Sequence, residues 1–100
     1  MSVVLVEPQI NAKDVLPLVR SAVNAEITRL ELAVEAARRR LVSYETRYKV
    51  SSSEFIERLS AEDLKGGDDE YIMWAGEFKL LERLRHKLSQ LKGLQFGDNR

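Results

Sequence analysis

Ser51-Ser52-Ser53, His86, the acids Glu62, Asp63, Asp68, Asp69 and Glu70, and the run Arg38-Arg39-Arg40 are the residues of this chain whose types invite chemistry. A serine hydroxyl becomes a nucleophile only beside a base, and near neutral pH that base is usually histidine. No histidine lies near the serines in sequence, and they read instead as a helix cap. His86, the sole histidine, stands between Arg85 and Lys87 on a basic helix surface, where it favours the C-terminal end of the helix dipole. Calcium loops alternate oxygen ligands so that they converge on one point. The five acids follow no such spacing, and each has a capping or solvation role open to it. Gly66-Gly67 lacks the Lys-Ser/Thr that completes a phosphate loop. The absence of cysteine excludes disulfides, thiolate zinc sites and thiol nucleophiles together. These residues point to no enzyme, no metal and no cofactor.

The arginines are better placed for recognition than for catalysis. Wrapped on a helix, Arg38-Arg39-Arg40 fan over about 200° and cannot all face one ligand. Glu35 and Arg39 have the i, i+4 spacing of a solvated pair. Arg29, Arg40 and Arg47, spaced eleven and seven, stack on one side instead. From 54 to 77, eight acids stand against Arg58 and Lys65. That segment is expected to lie along the arginine stripe, within the chain or from a second subunit. RNA or DNA binding by the stripe is the lesser reading, because sixteen basic and sixteen acidic residues cancel. Tyr44, Tyr48, Tyr71 and Trp74 complete the picture. Trp, Tyr and Arg dominate binding hot spots, so these four with Arg29, Arg40 and Arg47 form the candidate partner-binding set. Ordinary core packing is the competing reading for the aromatics.

A helix must carry most of these residues. Val23, Ile27, Leu30, Val34, Ala37, Leu41, Tyr44 and Tyr48 recur in an unbroken 4-3 rhythm, the seam of a helix buried against another. Ile27, Val34, Leu41 and Tyr48 take heptad position a; Val23, Leu30, Ala37 and Tyr44 take d. Branched residues at a lean toward a parallel pair, yet Glu26 would there repel Glu31. Ala22, Ala25, Leu32, Ala33 and Ala36 widen the apolar face, which favours a bundle touched on two sides over a bare zipper. The expected helix spans 14–49. Asp14 is its N-cap in preference to Asn11, because Pro17 is tolerated in a first turn and disrupts an established helix. Such a helix is about 54 Å long, whereas a compact domain of 100 residues has a radius of gyration of about 13 Å. The overhang is expected to be covered by a second copy, as a homodimer or higher, or by a different partner protein.

Ser51 with Glu54 three residues on is a capping box, and Val50 and Phe55 are placed as a hydrophobic staple. A short helix over 52–62 follows, Gly66-Gly67 breaks the chain, and a third helix is expected over 69–92. Tyr71, Trp74, Phe78, Leu81, Leu84, Leu88 and Leu91 share one side of it, and Gly93 stops it. The predicted fold is all-α, a long helical hairpin or bundle with a coiled-coil-like seam, in one domain over 1–100. Residues 1–10 form an apolar arm, with Val3 to Val6 packed on the helices or pairing as an edge strand with a symmetry mate. Residues 94–100 form a frayed tail. With no leader-type basic and apolar N-terminus and no apolar run of about 18 residues, a soluble, cytoplasmic protein is expected and a membrane partner is not.

The stretch Tyr44-Glu45-Thr46-Arg47-Tyr48-Lys49-Val50-Ser51-Ser52-Ser53-Glu54-Phe55, followed by Gly67-Asp68-Asp69-Glu70-Tyr71-Ile72-Met73-Trp74, resembles small helical bacterial and archaeal proteins that are the antitoxin members of toxin–antitoxin gene pairs. The resemblance covers about a third of the chain. It implies a helical, dimerising protein that neutralises a toxin, commonly a nuclease or nucleotidyltransferase-like protein. No helix-turn-helix or DNA-binding ribbon is legible, so autoregulation is not expected. A purely structural homo-oligomer, its seam saturated by its own copies, is the alternative.

Overall fold

A computed structural model describes residues 2–3, 12–62 and 69–95 of the chain. In order these form β1 (Ser2–Val3), α1 (Ala12–Tyr48), α2 (Ser52–Glu62), α3 (Asp69–Lys92) and β2 (Leu94–Gln95). The architecture is all-α apart from one short parallel pairing, in which Ser2 meets Leu94 and Val3 meets Gln95. Ser2 and Val3 thus pair within the chain, and Val4 to Val6 lie outside the described residues.

α1 contains no glycine and runs for 37 residues, about 55 Å. That length matches the longest dimension of the molecule, 56 × 22 × 22 Å. The expectation of a compact body beneath the long helix is therefore corrected. The radius of gyration is 19.1 Å, because α3 lies back along α1 and the pair forms a rod. Antiparallel order follows from Arg47–Glu70, Arg40–Glu77 at 2.9 Å and Lys92–Glu31 at 3.1 Å. The 4-3 seam is consumed inside the chain: Leu30, Ala37 and Leu41 are buried, with Leu81 and Trp74 of α3 and Phe55 of α2.

The N-terminus of α1 is also corrected. The helix begins at Ala12, so Asp14 is a first-turn acid and not the cap, and Pro17 lies inside the helix. Asn11 lies outside the described residues. A proline near the start of a helix forgoes one hydrogen bond, and the 31 residues beyond it carry the helix regardless. At the other end Lys49 has φ 57°, the left-handed conformation that stops α1. Ser51 then caps α2: its Oγ accepts from the Glu54 N–H at 3.1 Å, and its carbonyl accepts from the Phe55 N–H at 2.9 Å. The reciprocal half of the box is replaced, since the Glu54 carboxylate takes Arg58 at 2.7 Å. α3 ends at Lys92, where the Gly93 N–H donates to the Ser89 and Gln90 carbonyls.

Candidate partner-binding site

Five of the seven residues singled out from the sequence converge where α1 ends, α2 begins and α3 begins. Tyr44 and Trp74 stack at 5.4 Å, Tyr48 and Trp74 at 5.3 Å, and Tyr48 meets Tyr71 edge-on at 5.7 Å. Phe55 lies parallel to Trp74 with centroids 3.8 Å apart and meets Tyr71 edge-on. Arg47 joins them by pairing with Glu70, whose other oxygen accepts from the Tyr48 hydroxyl at 2.9 Å. Arg40 lies two turns back along α1, paired with Glu77, while Arg29 is remote and pairs locally with Glu26.

Burial sorts this set. Trp74 is 0% exposed, so it belongs to the core, while Tyr44, Tyr48 and Tyr71 are half-buried around it. The acidic segment does lie along part of the arginine stripe, supplying Glu77 to Arg40 and Glu70 to Arg47. It does not reach Arg29. The expected Glu35–Arg39 pair is not formed among the described residues. Both side chains are exposed, and such a pair gains only about 0.3–0.5 kcal/mol. Arg29 Nε donates to Glu26 Oε1 at 2.8 Å, and this bond holds the Glu26 carboxyl below the usual carboxylate range while raising Arg29 in turn.

Sequence reasoning missed the polar core of the junction. The Trp74 Nε1–H donates to Ser52 Oγ at 2.9 Å, and that hydroxyl donates to Glu45 Oε2 at 2.7 Å. The same carboxylate oxygen accepts from the Ser52 N–H at 2.9 Å, so Glu45 covers the first free amide of α2. Ser52 is 2% exposed. Its hydroxyl is committed on both sides and closed to a substrate, which makes it a joint between three helices. No buried side-chain polar atom among the described residues is left without a partner. Nor do three of the described His, Asp and Glu residues stand together as a metal cluster.

The outer face of α3 was missed as well. Ile72 and Met73 are each 62% exposed, pointing away from the seam that Trp74 and Leu81 define. One turn on, Gly76 is also exposed, and a Cβ placed there would meet nothing within 4 Å among the described residues. Continuing along this face, Lys79, Arg83, His86 and Lys87, with Glu82 at the edge, line an open groove. The signal was present in the sequence only as apolar residues out of register with the α3 stripe. No described helix is long and apolar enough to cross a membrane. Compared with protein-family models, curated proteins and solved structures, the chain matches none.

Proposed function

We propose that this chain is a non-catalytic protein–protein interaction module that masks a partner protein through the outer face of α3. The observation that supports this reading is Gly76. Glycine inside a helix costs about 1 kcal/mol relative to alanine, and nothing among the described residues approaches the space it leaves. A bare backbone at mid-helix suits close approach by another chain. Ile72 and Met73 supply apolar contact beside it, and Lys79, Arg83 and Lys87 extend the face with positive charge. The partner that fits is a segment apolar at one end and acidic at the other. Its nature as a toxin is what the resemblance to antitoxins implies.

Capture of the full-length protein with the product of an adjacent co-expressed gene tests this. A stoichiometric complex is expected, lost in Ile72→Asp and Met73→Asp variants that remain helical by circular dichroism. Gly76→Ala should raise helix stability by about 0.5–1 kcal/mol yet weaken the complex. Binding that survives all three changes would refute the reading.

A further inference from the structure

Opposite its buried seam, α1 carries a face that no other element covers among the described residues. At 3.6 residues per turn, Ala25 lies about 140–180° around the helix from Leu30, Val34 and Leu41. Leu18, seven residues before it, is 69% exposed, and Leu32, seven after it, is 68% exposed. Ser21, Ala22 and Thr28 between them are exposed and small. Between Leu18 and Leu32 the one large side chain on this face, Arg29, is already neutralised by Glu26 on its own helix.

We infer that this face is the contact between two copies of the chain, with the two α1 helices antiparallel and Ala25 on the two-fold axis. The register follows from self-complementarity. Placing Ala25 against Ala25 sets Leu18 of each copy on Leu32 of the other, closing both apolar ends at once. Asp14 of each copy then falls within a turn of Arg39 of the other. Both are exposed, and neither has an ion-pair partner among the described residues. The parallel arrangement matches the leucines equally well but sets Asp14 on Asp14, Arg29 on Arg29 and Arg39 on Arg39, so charge selects the antiparallel one. An isologous contact of this kind closes as a dimer and does not propagate. Overlap from 14 to 36 is about 34 Å of paired helix. This contact uses α1 and leaves the outer face of α3 clear, so it stands or falls independently of the masking role.

Light scattering on the full-length protein is expected to give twice the 11.5 kDa of one chain. The cysteine-free sequence makes the register readable by oxidative crosslinking. An Ala25→Cys variant should form a disulfide-linked dimer. Leu18→Cys alone should not, whereas Leu18→Cys mixed with Leu32→Cys should. A helical Leu18→Glu, Leu32→Glu double variant should be monomeric, and because both side chains are exposed the core is untouched. A monomer at several hundred micromolar overturns the proposal. So does efficient Leu18→Cys self-crosslinking without the mixed product, which is the parallel arrangement.

Discussion

The Ser52 hydroxyl serves the Trp74 indole and the Glu45 carboxylate together, so its removal leaves the buried indole N–H unsatisfied and strips Glu45 of one of its two hydrogen bonds from Ser52. Ser52→Ala is expected to destabilise the protein by about 1–3 kcal/mol, measured by urea unfolding followed by circular dichroism. Ser53→Ala beside it, exposed and outside this chain of bonds, should stay within about 0.5 kcal/mol. None of this was legible in sequence, because Ser51, Ser52 and Ser53 are chemically identical there. What separates them is a bond to a tryptophan 22 residues away. The Glu26–Arg29 pair allows a second check. A carboxyl lowered by a cation contributes stability present above its unfolded pKa and lost as pH falls through the folded one. Glu26 should therefore titrate below the usual carboxylate range by NMR, and Arg29→Ala should raise it.

Among the elements, α2 and α3 were legible to the residue, while α1 was not. Ser51-x-x-Glu54 and Gly93 are local signals whose effect is spent within a turn, so they report faithfully on the boundaries they create, while Gly66-Gly67 lie outside the described residues. Pro17 misled because its effect is a matter of degree: a long helix absorbs one missing hydrogen bond, and propagation continues to Ala12. The aromatic end was half legible. Periodicity placed Tyr44, Tyr48, Tyr71 and Trp74 together, but the choice between core and surface depends on α2 closing over Trp74. Lys49 is where α1 gives way to that closure. A non-glycine residue in the left-handed conformation costs about 1 kcal/mol, which glycine escapes. Lys49→Gly is expected to stabilise the fold by up to about 1 kcal/mol in thermal or urea unfolding.

As a whole molecule the chain is a rod with unequal ends. α1 is 37 residues against 24 for α3, so its N-terminal segment extends about 20 Å past what α3 can flank. Most buried side chains gather toward the other end, around Trp74. Amide exchange should reflect this, with residues 14–22 of a dilute sample exchanging faster than 37–48. Protection of 14–22 should grow with protein concentration if two copies pair there. The sequence argument for association began from a compact body with an overhanging helix; the body is a rod and not compact, while the overhang of α1 past α3 is there. The need for a covering surface survived in another form, because a two-helix rod buries only one side of each helix.

The seating of Trp74 has an optical consequence. It is the only tryptophan, fully enclosed and ringed by three tyrosines or phenylalanines, with its indole N–H held by Ser52. Nearly all the ultraviolet emission of the protein therefore originates at one point, shielded from water and near enough to its tyrosines to collect their excitation. That glow reports whether the closed end of the rod is intact and is blind to the open end. A signal lost later on heating than the helical signal of α1 would be the mark of a molecule that unzips from one side.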